Sequence, residues 1–345
     1  MAKSDEPNLT FDQALQIAEH VYGCPKPSLL VGNGFSQAFS GKFGYSTLRK
    51  EAALSKLSSG ITKDALFDHS DTNDFETVIH TLERAAQLQE LYDPEGPVSG
   101  RLRADAEAVK KGLVDTLTAI HPSSAAEVEP SRYAPARAFL SNFATVFTLN
   151  YDLLLYWAIN QSASPANTTP HDDGFRSREN QLTWVSPGFS SQEVFFLHGA
   201  MHLYAERTQT HKLIRRADAN IIPQVKKNLA SGRYPLVVTE GTKENKQARI
   251  AVSPYLSYCY SCLERLSGAL FVHGVSLSEN DQHILDAISA PHSRVNVLFV
   301  GLFGDESIHR DVKHRAEGVA VERSRRGGRE LDITFYQSES AEAWG

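Results

Sequence analysis

Four short stretches of the chain carry residue types that do chemistry on a nucleotide-sized ligand. They are Gly32-Asn33-Gly34-Phe35-Ser36, Thr148-Leu149-Asn150-Tyr151-Asp152, His198-Gly199 and the run from His273-Gly274-Val275-Ser276 to Asp281. In the first, the glycines let backbone approach a pyrophosphate while the following helix offers N–H groups. Asn33 tolerates left-handed geometry, and Ser36 brings a hydroxyl for a phosphate or ribose. The alternative for this stretch is a plain tight turn. In the second, Asn150 and Asp152 either handle a substrate, or Asn150 caps the next helix and Asp152 faces its dipole. His198 supplies an imidazole that titrates near neutrality, as a general base must, and Gly199 behind it leaves room for a ligand. Gly274 and Ser276 either hold a ribose or phosphate, or Ser276 and Ser278 cap the helix that Asp281 opens.

Two further patterns carry less. Cys259 and Cys262 have metal-like spacing, but one pair cannot close a tetrahedral zinc site, so they read as small core residues and no zinc is expected. Asp172-Asp173-Gly174-Phe175 has the composition of a turn rather than of a cation site.

The positioning elements follow from apolar periodicity. A helix over 10–21 with Thr10 as N-cap precedes a first core strand over Ser28–Val31. The segment 37–44 is too glycine-rich for a long helix. Helical spacing then fills 47–57, 74–92, 101–120 and 135–143, a helical insertion over 46–143 within one domain spanning 1–345. Strands are expected over 144–149, 194–197, 236–238, 269–272, 295–300 and 331–335. Helices fall over 152–159, 217–230, 255–266, 281–288 and 307–321, and a long polar loop over 161–192. Strands alternating with helices imply an α/β, doubly wound, mainly parallel Rossmann-like sheet. Ligands of such sheets lie beyond the carboxyl ends of the strands, and each of the four stretches directly follows a predicted strand.

At 345 residues, with 41% hydrophobic and 22% charged residues, the composition is that of an ordinary globular protein. A formal charge of −6 does not attract a polyanion. The short basic runs over 101–111, 226–227 and 323–329 read as solvated helix faces, so direct nucleic-acid binding is not expected. Three cysteines argue against a disulfide framework. The polar start lacks the apolar core of a signal peptide, and no apolar run approaches the ~20 residues that span a bilayer. A cytoplasmic protein with no membrane contact is expected.

Taken in order, the four stretches resemble the sirtuin superfamily, most closely its bacterial sirtuin-like branch, which includes effectors of phage-defence systems. Gly32-Asn33-Gly34-Phe35-Ser36 is similar to the family's Gly-Ala-Gly-x-Ser loop, and Thr148–Asp152 to its Thr-x-Asn-x-Asp motif. His198-Gly199 is similar to the catalytic His-Gly, and Gly274-x-Ser276 to the late Gly-x-Ser, followed by Asp281. Asp74-Phe75-Glu76 resembles an element frequent in the non-deacylase branch. Protein deacylases of the family carry a four-cysteine zinc module and a Gly-x-Pro-x-Phe-Arg segment. Here the cysteines are too few and that segment is Gly41-Lys42-Phe43-Gly44-Tyr45.

The resemblance therefore implies hydrolysis of NAD+, as substrate, to nicotinamide and ADP-ribose. It implies that Asn150 positions the water or ribose hydroxyls, that His198 is the base, and that Asp152 orients them or polarises the ribose. Gly32, Asn33, Gly34 and Ser36 would cradle the diphosphate, and Gly274, Ser276 and Asp281 the adenosine side. Unregulated NAD+ loss poisons a cell, so the same logic implies a homo-oligomer held inactive by a separate protein. A HerA-type ATPase, a short Argonaute or a nucleotide-processing subunit would fill that role. The alternatives are an idle NAD- or ADP-ribose-binding regulatory module, an NAD-dependent deacylase, and last a hydride-transferring dehydrogenase.

Overall fold

The structure is a computed structural model that describes residues 9–54, 57–58, 60–160, 170–178, 181–188, 192–216, 219–239 and 242–345. Its strands are β1 (Ser28–Val31), β2 (Thr145–Thr148), β3 (His171–Asp172), β4 (Phe175–Arg178), β5 (Gln181–Trp184), β6 (Gln192–Phe196), β7 (Leu203–Glu206), β8 (Gln209–Lys212), β9 (Ser267–His273), β10 (Arg294–Leu302) and β11 (Asp332–Gln337). Seven of them form one sheet in the order β11-β10-β9-β1-β2-β6-β3, with every neighbouring pair parallel. This is the doubly wound, Rossmann-like α/β architecture that the alternation of strands and helices predicts. Strands covered on both faces must be apolar along their whole length. Accordingly, all four residues of β1 are buried, and Phe271 of β9 stacks on Phe299 of β10 with centroids 4.6 Å apart.

Chain order runs outward from β1 in both directions, through β2 and β6 on one side and β9, β10 and β11 on the other. The switch in direction therefore lies between β1 and β9, where ligands of such sheets bind. Register sharpens the point. Val31 is level with Thr148 and with His273, and Thr148 is level with Phe196. All four motif-bearing segments leave the sheet at one height.

Among the described residues, six helices lie between β1 and β2: Asn33–Phe39, Tyr45–Glu51, Lys63–His69, Phe75–Tyr92, Pro97–Ile120 and Pro130–Leu140. The helix expected over 135–143 begins earlier, and Pro135 sits inside it. The first helix, Phe11–His20, carries the expected Thr10 cap as a capping box with Gln13. No helix among the described residues is long and apolar enough to cross a membrane.

Several expectations are sharpened or corrected. Residues 37–44 hold no long helix, as expected, although a seven-residue helix, Asn33–Phe39, starts at once after Gly32 and a short 3-10 turn, Gly41–Phe43, follows it. The polar stretch 161–192 is not simply a loop. Its described part holds β3, β4 and β5, the last two in an antiparallel sheet of order β4-β5-β8-β7; residues 161–169 lie outside the described residues. Polar, edge-like strands give a weak alternation signal, which is why composition misled. Residues 236–238 are not a strand but make one isolated bridge, Gly199 to Val237. The helix Lys243–Ala251 is so polar that periodicity missed it.

Candidate functional site

A cavity of about 850 Å³ opens at the switch point between β1 and β9, within the range of small-molecule sites. Gly32, Asn33, Gly34, Asn150, Asp152, His198, Gly274, Ser276 and Asp281 all line it, so nearly the whole set singled out from sequence converges. Ser36 does not line it, and is completely buried behind Asn150.

The glycines serve a different purpose from the one expected. A Cβ on Gly34 would stand 2.5 Å from the Cα of Gly274, and one on Gly32 would stand 2.7 Å from the Gly274 carbonyl oxygen. Gly274 itself has φ +66°. The two loops therefore cross backbone on backbone, and only glycine permits it. The crossing consumes three of the backbone donors of this stretch: Gly34 N–H donates to the Gly274 carbonyl at 2.9 Å, Gly32 N–H to that of His273, and Phe35 N–H to that of Gly32. Gly199, at φ +73°, is likewise occupied rather than open, since its Cβ would meet the Leu236 carbonyl oxygen at 2.0 Å. The 236–238 segment thus braces the histidine turn, with Val238 N–H donating to the His198 carbonyl at 2.9 Å.

Asn150 is not a helix cap. Its side-chain N–H groups donate to the Gly32 carbonyl and to Ser36 Oγ, both at 2.9 Å. Ser36 donates in turn to Asp152 Oδ2 at 2.5 Å. With both amide hydrogens spent, what Asn150 can offer a ligand is its Oδ1, an acceptor for a water or a hydroxyl. Capping of the next helix falls to Asp152, whose Oδ1 accepts from Leu154 N–H at 2.8 Å, and to His121, whose Nε2 accepts from Leu153 N–H at 3.1 Å. Burial raises the Asp152 carboxyl, opposed by the Ser36 and backbone hydrogen bonds. Ser36 and Asp152 are therefore the support that aims Asn150, and Ser36 is not itself a phosphate donor.

Across the cavity, side chains from distant helices form a charged wall. Lys246, fully buried, pairs with Glu76 and donates to the Asn280 carbonyl at 2.8 Å. Asn280 donates to Asp74 and to Thr77 Oγ1. Tyr151 hydroxyl is within hydrogen-bonding reach of Glu76 Oε1 at 2.5 Å and of the Val238 carbonyl at 2.7 Å. Asp281 Oδ1 lies 4.0 Å from both Lys246 Nζ and His198 Nε2. Asp281 thus stands beside His198, while Arg315 donates to the Ser276 carbonyl at 3.0 Å. Leu277, between Ser276 and Asp281 in the chain, holds a left-handed φ of +52°, strain of the kind that concentrates at functional sites.

Burial sets the proton affinities here. It lifts Asp281 to about 7, against the pull of Lys246 and with the push of Glu76 and Asp74. It lifts Asp74 to about 6, with Glu76 adding to the effect. Burial would lower Lys246, but the three carboxylates outweigh it and hold the amine above its ordinary range. His198 is driven well below its ordinary value, first by burial and then by Lys246. Its Nε2 lies 2.8 Å from Nε2 of His283.

Lys246 and His283 carry no local motif in the sequence; the available signal was a lysine in a polar helix and a histidine two residues after Asp281. Asp172 and Asp173 are spent on a turn, paired with Arg176 and Lys212. Cys259 and Cys262 carry free thiols, the former buried. The chain belongs to the family described as Domain of unknown function (DUF4917), whose pattern matches residues 29–344. No curated protein matches it.

Proposed function

We propose that this member of the family hydrolyses NAD+ to nicotinamide and ADP-ribose. The observation that carries the reading is the convergence of Asn150, with its acceptor oxygen free, and His198 on one cavity at the switch point of a doubly wound sheet. Nicotinamide leaves NAD+ as a neutral ring, so the transition state builds positive charge on the ribose, as in glycoside cleavage. An electronegative wall of Asp281, Glu76 and Asp74 beside His198 favours such charge. Asn150 Oδ1 holds the attacking water or a ribose hydroxyl, and His198 takes its proton.

The diphosphate contacts of the reading are narrowed. With the crossing amides internally bonded, Arg315 and Ser276 are placed to meet it, and Ser36 acts through Asn150. By its resemblance to phage-defence effectors, the protein acts to deplete NAD+ under the control of a separate partner and as a homo-oligomer. A second reading, a module that binds the dinucleotide without breaking it, draws support from His198 Nε2 being already engaged by His283.

Substituting Asn150→Ala and His198→Ala tests the assignment. Each should lower nicotinamide release by 100-fold or more, the usual scale for removing a positioned acid–base group, with the unfolding transition retained. Undiminished release in both would sink it.

A further inference from the structure

The reactive atom of His198 is already occupied. As a base at Nε2, which faces His283, the neutral His198 ring carries its hydrogen on Nδ1. Its Nε2 is then a lone pair, and the 2.8 Å contact requires the hydrogen to sit on His283 Nε2. The rings lie nearly parallel, at 21° with centroids 5.0 Å apart.

His283 itself is lightly held. Its Nδ1 is buried without a partner among the described residues. Its backbone carbonyl, not its ring, accepts from Tyr260 at 2.8 Å. The bond to His198 is the one polar anchor of the imidazole among the described residues, so packing alone, against the His198 and Tyr260 rings, holds the buried ring once that bond is exchanged for another.

We propose that His283 controls whether His198 is available as a base: its Nε2–H covers the His198 lone pair, and His198 accepts a proton from the substrate only after His283 has turned away. The proposal rests on His198 being the base of the reaction. The proton balance is simple. A hydroxyl or water hydrogen moves to His198 Nε2, giving an imidazolium with hydrogen on both nitrogens. While His283 faces it, two hydrogens would have to share a 2.8 Å gap, which no hydrogen-bond geometry permits. Lys246 faces both rings, Asp281 and Tyr151 face His198, and Glu76 and Asp286 act on His283. Lys246 disfavours a second proton on either ring, and Asp281 is placed to steady the imidazolium that forms. His283 is thus a positioning residue whose movement, by substrate or by a partner, would switch the site on.

The experiment is an NMR titration of the His198 imidazole in the ligand-free full chain, alongside nicotinamide release from NAD+. In the wild type, long-range proton–nitrogen correlations should find His198 with its hydrogen on Nδ1 and His283 with its hydrogen on Nε2. This needs no variant; the reverse tautomers would overturn the proposal. His283→Phe keeps the ring stack and removes the donor, so His198 should take up its proton at least one pH unit higher and turnover should rise about 10-fold. His283→Gln, which restores an N–H donor, should reverse both effects. An unshifted His198 titration in His283→Phe would overturn the proposal, as would a shifted titration with turnover lowered. A shifted titration with no NAD+ consumed by any variant supports the covering bond and counts against NAD+ cleavage instead.

Discussion

The wall of the cavity where β1 and β9 part is made of backbone, whereas the facing wall is made of charge. On the first side, Gly32, Gly34 and Gly274 bring two loops into direct main-chain contact. On the second, Glu76 of the helix Phe75–Tyr92 and Asp281 line the cavity, backed by the buried Lys246 of Lys243–Ala251 and His283 of Gln282–Ile288. The first wall is steric and indifferent to pH. The second is electrostatic, and its energy follows protonation. Neither suffices alone: the backbone wall fixes where Asn150 sits, and the charged wall fixes what His198 can do.

Three substitutions probe that contrast. The largest loss should come from Lys246→Met, which strands buried carboxylates without their cation; removing one partner of a buried pair costs about 3–5 kcal/mol. Because the amine is held above its ordinary range, its contribution is complete at neutral pH and fades only in strong alkali, above the unfolded value. Urea melts at pH 7 and near pH 11 would read the difference, and a pH-independent loss would break the electrostatic account of that wall. Gly274→Ala comes next. It forces a Cβ into Gly34 at a left-handed position, at about 2–4 kcal/mol from overpacking and backbone strain together, and that loss should be the same at pH 5 and pH 8. A loss under 1 kcal/mol would mean that the loops do not cross as described.

Asp281→Asn should have the smallest effect and the opposite sign. Its folded carboxyl is lifted from 3.8 to about 7, so the folded chain holds a proton that the unfolded chain releases. Stability from this group therefore falls as pH rises from about 4 through 7. The amide removes that penalty. The variant should match the wild type at pH 4 and exceed it by ~1–2 kcal/mol at pH 8, in denaturant midpoints measured at both. Equal gains at the two pH values would contradict the assignment.

The sequence made one wall legible and the other only in its carboxylates, for physical reasons. Motifs after strands are local, and a parallel sheet with level register carries locality into space: Val31, Thr148, Phe196 and His273 share one height, so whatever follows each of them meets. Even there the loop crossing at the glycines was not legible, because a missing Cβ reads the same whether the neighbour is a phosphate or another loop. Ser36 and Asp152 were found, but only the hydrogen-bond chain assigns them to Asn150 rather than to a ligand. Lys246 was out of reach. Its helix is polar almost throughout, and only the burial of one amine against residues 170 positions away gives it meaning. The strands of the antiparallel sheet were lost for a related reason, since short half-exposed strands lack the apolar run that marks the core.

The central claim is that this cavity breaks NAD+ rather than merely holding it. The direct measurement is to incubate the pure chain with NAD+, alone and with the proteins encoded beside it, and to quantify nicotinamide and ADP-ribose together. The account predicts the two products in equal amounts, abolished by Asn150→Ala. NAD+ recovered intact from a complex with the wild-type protein, under both conditions, would contradict it.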